Sequence, residues 1–435
     1  MKTLHFTNSW HTSSGGIATF YKALFTAAER EKHQMRLVVP SDCSRVEERG
    51  EFGRIYHIEA PRAPLYPEYR MLYPTRFLFP RTAVQRILND ERPDLVEVSE
   101  KYVTPYLAGL LRTSRLPGVK HRPTVIGLSH ERMDENMAAY ITGHPFGRRF
   151  CTWYMKWIYF PMFDHHITVS EHTAGELIDA SRGHKVSRGV WISPMGVDCE
   201  RFTPSRRTPE NRERLLQLAR GFGQPIHPDA TVLLYAGRLA PEKNLPLLLD
   251  TMQRLDAGEY RLCIIGDGIE FTPLRDACAQ RGIGNIVFAG QIGDRDILAG
   301  HFAAADVFIH PNPREPFGIA PLEAMASGLA LVAPDSGGVT SYANETNAWL
   351  SAADPEAFAA SVRSIRHGSA ELLRSRTAAG RRTAEAHGWC GVASRYLSLY
   401  RELDAVTRGN LTTFTHSPRA YSTKGNAFGR ELTGL

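Results

Sequence analysis

At 435 residues the chain is too long for one ordinary core and predicts two large domains. Its 43% hydrophobic and 23% charged residues exclude general disorder, and no apolar run approaches the roughly eighteen residues that a membrane-spanning helix needs. The net charge of +6 is spread along the chain, which suits anionic substrates, phosphates or an acidic membrane surface, and no nucleic-acid motif accompanies it. Six cysteines, Cys43, Cys151, Cys199, Cys263, Cys278 and Cys390, lie far apart without a C-x-x-C pair and predict free thiols in a reducing cytoplasm.

Residues 1–8 alternate as a strand does and lack the apolar core of a signal peptide, so the expected location is the cytoplasm. Ser13-Ser14-Gly15-Gly16 then leads into a helical pattern at Phe20, Leu24, Ala27 and Ala28. A strand, glycine loop and helix in that order either cradle a phosphate or hydroxyl or make a plain tight turn. Strands are expected at 37–40, 54–58, 94–99 and 123–129, helices over 82–89 and 104–112, and an irregular loop over 61–80. Such alternation indicates parallel βαβ units. His130 follows directly on the last of these strands, at the end where open α/β sheets bind ligands, and reads either as a ligand-facing residue or as a structural or solvent-facing one. Residues 147–164 read as a helix rich in aromatics and cations, among them Arg148, Arg149, Trp153, Lys156 and Trp157. It suits an anionic lipid surface, an apolar acceptor, or core packing with a polar rim. Residues 165–170 form another strand, whose adjacent His165 and His166 point to opposite sides and so have poor metal-ligand spacing.

Segment 203–229, crowded with Pro, Arg and Glu, marks the crossing into a second α/β series. Strands are expected at 231–236, 260–265, 285–289, 306–310 and 330–333, with helices near 245–255, 271–280 and 296–304. Each half reads as a doubly wound sheet, with a ligand cleft expected between them. Gly237-Arg238 and Lys243-Asn244 follow the first strand of this half, and the two cations can turn toward one phosphate pair, Arg238 as a planar fork and Lys243 as a point charge. Gly266-Asp267-Gly268 and Gly290-Gln291-Ile292 end the next two strands as turns whose backbone can read a nucleobase edge. Asp294-Arg295-Asp296 has a D-x-D form used for metal elsewhere, but at a helix start it reads as an N-cap, and no metal site is assigned.

The densest stretch is 311–328. Glu315 is placed on a loop, Pro321 and Glu323 in the first turn of a helix, and Gly328 at its stop. Between the carboxylates, Phe317, Gly318 and Ile319 leave backbone N–H groups free at a helix start, where an anion is favoured. Carboxylates repel phosphate, so Glu315 and Glu323 are expected to accept hydrogen bonds from hydroxyls on either side of it, as a nucleotide sugar supplies them. A last helix at 388–405 and a polar tail at 406–435, expected to be largely disordered, close the chain.

On these motifs the sequence resembles the retaining glycosyltransferases of family 4, which have the GT-B fold. Gly237-Arg238 with Lys243-Asn244, then Gly266-Asp267-Gly268, then the E-x7-E pair of Glu315 and Glu323 stand in the family's order. Ser14-Gly15-Gly16, His130, Val169-Ser170 and Gly196-Val197-Asp198 match landmarks of the first half. The resemblance implies an α/β architecture of two doubly wound, Rossmann-like domains facing a central cleft, residues 1–200 binding the acceptor and 201–387 the nucleotide sugar, with the helix at 388–405 crossing back to the first domain. It implies that Arg238 and Lys243 bind the donor diphosphate, Glu323 the ribose, and Glu315 with the backbone of Phe317, Gly318 and Ile319 the sugar, with His130 near the sugar hydroxyls and the reacting carbon. Gly15, Gly16, Gly237, Gly266, Asp267, Gly268, Gln291 and Ile292 complete the implied donor-binding set. No metal or cofactor is expected, because two cations stabilise the departing diphosphate. The implied partners are a GDP- or UDP-linked sugar and a lipid or glycan acceptor, with peripheral contact to an anionic membrane and none with nucleic acid. The alternatives are a sugar-phosphate synthase or NDP-sugar hydrolase on the same fold, and a non-catalytic nucleotide-binding protein.

Overall fold

The central strands of the first half are buried along their whole length, as helices on both faces of a parallel sheet require, so their burial does not alternate, and it takes in Glu97, His165 and His166 together with the apolar residues. The computed structural model describes residues 1–10, 15–64, 69–140, 145–184, 189–220, 226–227, 229–410 and 420–421. The chain divides into two units, Met1–Pro194 with Cys390–Leu435, and Met195–Trp389.

The first unit runs β1 (Lys2–Phe6), α1 (Gly16–Arg30), β2 (Gln34–Ser41), β3 (Arg45–Arg49), β4 (Gly53–Glu59), α2 (Ala83–Glu91), β5 (Leu95–Val98), α3 (Pro105–Arg112), β6 (Thr124–Ser129), α4 (Met133–Tyr140), α5 (Pro145–Tyr154), β7 (His165–Thr168), α6 (Glu171–Ser181) and β8 (Val190–Ile192). Among the described residues its sheet, joined at one edge by β15 (Ala420–Tyr421), has the order β15-β8-β7-β6-β5-β1-β2-β4-β3. Strand direction is parallel except at the two edges, where β3 pairs antiparallel with β4 and β15 with β8. The expectation of parallel units missed this hairpin: Arg45-Val-Glu-Glu-Arg49 is mostly exposed and charged, which protects an edge strand and hides it from a search for apolar runs.

The stretch read as one helix over 147–164 is α5, a π-helical turn (Met155–Tyr159) and a 3-10 turn (Phe160–Met162). Cys151, Tyr154, Met155, Tyr159 and Phe160 join the core, while Phe150, Trp153 and Trp157 are 43%, 51% and 57% exposed. The expected core packing therefore holds for one face, and the other carries exposed aromatics.

Helix α14 (Trp389–Thr407) belongs to the first unit from Cys390 onward. Its Tyr400 hydroxyl donates to Glu97, a fully buried carboxylate that also accepts from Tyr21 at 3.0 Å and is bound by His5 Nδ1 at 2.9 Å. The chain of contacts continues from His5 Nε2 to Thr3 Oγ1 and on to His33 Nε2 at 3.1 Å. Of the expected tail at 406–435, residues 406 and 407 lie in α14 and 420–421 form β15; 411–419 and 422–435 lie outside the described residues.

The second unit runs α7 (Pro209–Arg220), β9 (Thr231–Ala236), α8 (Pro246–Met252), β10 (Tyr260–Ile265), α9 (Phe271–Gln280), β11 (Ile286–Gly290), α10 (Arg295–Ala304), β12 (Val307–Ile309), α11 (Ile319–Ala326), β13 (Ala330–Pro334), β14 (Trp349–Ser351), α12 (Pro355–His367) and α13 (Ala370–Ala386). Among the described residues its six strands are all parallel, in the order β11-β10-β9-β12-β13-β14. Segment 203–229, read as a crossing, contains α7. Asp294 caps α10 by accepting from the N–H of Asp296 and Ile297. No helix among the described residues is long and apolar enough to cross a membrane.

Candidate active site

In the second sheet β9 lies beside β12, and the crossover after β9 runs to β10 while the one after β12 runs the opposite way to β13, so the loops following these two strands part above their carboxyl ends, where doubly wound sheets bind ligands. The loop after β9 carries Gly237 and Arg238, then a 3-10 turn (Pro241–Lys243) that Asn244 ends in a left-handed conformation, φ 54°. Asn244 Nδ2 donates to the Pro311 carbonyl at 3.0 Å and ties this loop to the one after β12. There Lys243 Nζ reaches Glu315, 2.9 Å from Oε2 and 3.2 Å from Oε1, and Asn312 Nδ2 donates to Oε2 at 3.0 Å. The Gly338 N–H holds the Glu315 carbonyl at 2.6 Å. Burial works to raise the Glu315 pKa, but the Lys243 charge and the hydrogen bonds outweigh it and hold the carboxyl at about 2. His310 Nε2 stands 3.6 Å from Glu315 Oε2, and burial lowers the pKa of this imidazole to about 4.

Arg238 is more exposed and donates from Nη2 to Glu242 Oε1 at 2.7 Å, while its carbonyl accepts from the Tyr235 hydroxyl. The two cations expected to turn toward one phosphate pair thus lie on one loop, each on a different carboxylate. Asp267 joins this loop through its carbonyl, which accepts from the Leu239 N–H at 2.9 Å, and Gly268 follows it. Gly266 makes the approach possible: it has φ +147°, and a Cβ there would stand 1.9 Å from the Gly237 carbonyl oxygen. Gln291 is exposed and Ile292 half-buried in the turn between β11 and α10.

Gly318 caps α11 with φ +88° and gives its carbonyl to the Tyr342 hydroxyl at 2.6 Å, while Phe317 packs on the Tyr342 ring. The helix therefore begins at Ile319, two residues before Pro321. Proline is tolerated in the first turn because N–H groups there have no intrahelical acceptor. This corrects the placement of Glu323, which is the fifth residue of α11 and so lies in its second turn. Glu323 is buried, and Arg295 Nη2 donates to its Oε1 at 2.6 Å. Burial pushes its pKa up, and the Arg295 charge opposes that push.

In the first unit Gly15 caps α1 and Gly16 is its first residue, with nothing within 4 Å of where a Cβ on Gly15 would be. Ser13 and Ser14 lie outside the described residues. His130 leaves β6 half-buried, its pKa lowered by burial, and its Nδ1 has no hydrogen-bond partner among the described residues. The turn that holds it rests on a buried ion pair. Lys101 Nζ lies 2.5 Å from Glu176 Oε2 and from the Glu131 carbonyl, and Glu176 Oε1 accepts from the N–H of Met133 and Asp134.

Sequence reasoning missed Lys101, Arg295, His310 and Asn312. Arg295 alone left a trace, as the middle residue of the D-x-D triplet, whose two aspartates drew the attention.

Two family models match the chain in succession, Glycosyltransferase Family 4 over residues 14–201 and Glycosyl transferases group 1 over residues 222–383. The chain is similar to a GDP-mannose-dependent alpha-(1-6)-phosphatidylinositol dimannoside mannosyltransferase of Mycobacterium tuberculosis, 29% identical over 413 residues that span 94% of this chain and 98% of the relative. Over 144 residues, 33% of either chain, it is 39% identical to a GDP-mannose-dependent alpha-mannosyltransferase of the same species. Among solved structures it is similar to a sucrose-phosphate synthase of Thermosynechococcus elongatus, with TM-score 0.71 and 19% identity over 93% of this chain and 100% of that one.

Proposed function

The chain belongs to the family-4 glycosyltransferases and has their GT-B fold, and from that premise we propose that it transfers mannose from GDP-mannose to a hydroxyl of a lipid or glycan, with retention and without a metal ion. The observation that carries the reading is the Lys243–Glu315 pair on two loops tied together at the switch point of the second sheet. In this proposal Arg238 and Lys243 meet the diphosphate and stabilise its charge as it leaves. The bond from the anomeric carbon to the diphosphate oxygen breaks, and the acceptor oxygen bonds that carbon from the same face. The acceptor proton passes to the departing phosphate oxygen, so no protein nucleophile is required. Glu315 positions the sugar and stabilises positive charge on it, and Glu323 accepts from the ribose. The backbone of Phe317, Gly318 and Ile319 at the start of α11 donates to the donor. Gly237, Gly266, Asp267, Gly268, Gln291 and Ile292 line the nucleotide, while Gly15, Gly16 and His130 keep the role toward the donor sugar that the resemblance implies.

Both mycobacterial relatives are named for GDP-mannose, which favours that donor over a UDP-hexose. The longer of the two matches is named for a phosphatidylinositol acceptor, which favours a lipid. The outward face of α5 and the π-helical turn after it supports the same choice. Phe150, Trp153 and Trp157 are exposed beside Arg148, Arg149 and Lys156, Lys156 lies 5.3 Å over the Trp157 ring, and no Asp or Glu occurs from 145 to 163. Aromatics interleaved with cations and free of carboxylates suit an anionic bilayer surface, so the proposal includes peripheral membrane contact on the cytoplasmic side.

The test is incubation of the full chain with GDP-mannose, UDP-glucose or UDP-galactose and a membrane lipid extract in the presence of EDTA. The expected outcome is a mannosylated lipid by mass spectrometry with the donor's anomeric configuration by NMR. Release of free sugar alone would favour the hydrolase reading, and turnover only with a sugar phosphate would favour the synthase. Dependence on added metal would overturn the metal-free mechanism, and nucleotide binding without turnover would leave a non-catalytic protein.

A further inference from the structure

The two aspartates of Asp294-Arg295-Asp296 are both engaged: Asp294 caps α10, and Asp296 pairs with Arg206 at 2.7 Å and Arg201 at 3.4 Å. The side chain between them goes elsewhere. The Arg295 guanidinium lies 5.0 Å over the Phe202 ring and ends 2.6 Å from Glu323 Oε1. Stacking on an aromatic face fixes the guanidinium plane, and the ion pair then fixes the carboxylate. We propose that Arg295 is a positioning residue for nucleotide recognition: it holds the Glu323 carboxyl group in one orientation, ready to accept from two neighbouring hydroxyls. The proposal rests on the ribose reading of Glu323.

The physical need for such a partner is plain. Glu323 has only 8% of its side chain exposed, and burial and the nearby Asp198 both favour its neutral form, opposed by Arg295 and Arg201. A neutral carboxyl uses one oxygen as a donor and loses acceptor capacity for a diol. With Arg295 gone, the strongest group opposing burial is lost, so Glu323 takes up a proton at higher pH and recognition weakens as pH falls. Arg295 is 39% exposed, which makes substitution compatible with folding.

The experiment is calorimetric titration of the full chain with GDP and with 2′,3′-dideoxy-GDP, for the wild type, Arg295→Met, Arg295→Lys and Glu323→Gln, from about pH 6 to about pH 8.5. Expected for Arg295→Met is GDP binding weakened roughly tenfold at the acid end, recovering toward the wild type as pH rises, with dideoxy-GDP binding unchanged. Arg295→Lys, which keeps the charge, restores most of the affinity and the wild-type dependence on pH. Wild-type affinity and pH profile in Arg295→Met would overturn the proposal. The underlying reading is tested separately by Glu323→Gln: an undiminished preference for GDP over the dideoxy nucleotide in that variant would overturn the ribose assignment, and the role of Arg295 with it.

Discussion

Glu315 stands on a loop, yet only 12% of its side chain is exposed, and Lys243 and Asn312 bond its carboxylate. Replacing Lys243 with Met leaves that carboxylate without its main counter-charge. The variant is expected to lose about 1–3 kcal/mol of stability at neutral pH by denaturant titration. Its turnover is expected to fall by orders of magnitude, because the same ammonium is proposed to meet the leaving diphosphate. The stability difference carries a pH signature. The folded pKa of Glu315 lies below its ordinary value of 4.5, at about 2, so the contribution is present above 4.5 and lost as pH falls toward 2. The gap between wild type and Lys243→Met is therefore expected to narrow across that window, and a constant gap would sink the assignment. Arg238, Lys243, Glu315 and Glu323 were legible in the sequence because each stands at a fixed spacing within one strand–loop–helix unit. Arg295 acts from the start of another element, and Asn312 and His310 reach Glu315 by irregular contacts at the end of the strand and within the loop, which leave no periodic trace.

Among the elements, α5 shows where periodicity runs out. Its aromatics and cations were plain in the sequence, but the π-helical turn at Met155–Tyr159 shifts the helical register, so that Tyr159 and Phe160 point inward while Trp153 and Trp157 remain outside. A straight 3.6-residue reading cannot assign both sets. The outward set yields a clean test of the proposed membrane contact. Trp153→Ala with Trp157→Ala is expected to abolish most flotation of the full chain with phosphatidylglycerol vesicles while changing stability by no more than about 0.5 kcal/mol, because both side chains are more than half exposed. Equal flotation of variant and wild type would refute the contact. The start of α11 teaches the same lesson on a smaller scale: Pro321 marks a first turn, but the left-handed Gly318 sets where it begins.

At the scale of the whole molecule, each unit carries a buried histidine kept neutral by burial, His33 in the first and His310 in the second, both with pKa lowered from 6.5 to about 4. The unfolded chain takes up these protons first as pH falls, so stability is full above 6.5 and declines toward 4. Calorimetric melts across that window are expected to show falling transition temperatures, with a shallower slope in His33→Asn and in His310→Gln; slopes equal to the wild type would contradict the assignment. Two α/β units were legible as two series of apolar strands, whereas the return of residues 390–410 to the first unit rests on contacts between residues three hundred positions apart, such as Tyr400 with Glu97. That contact has a consequence for biosynthesis. The chain leaves the ribosome N-terminus first, so His5 and Tyr21 meet Glu97 early, but Tyr400 emerges only after the continuous second unit, Met195–Trp389, has been made. The half translated first is the half whose interior is finished last, and on every translating ribosome Glu97 waits, one donor short, for residue 400.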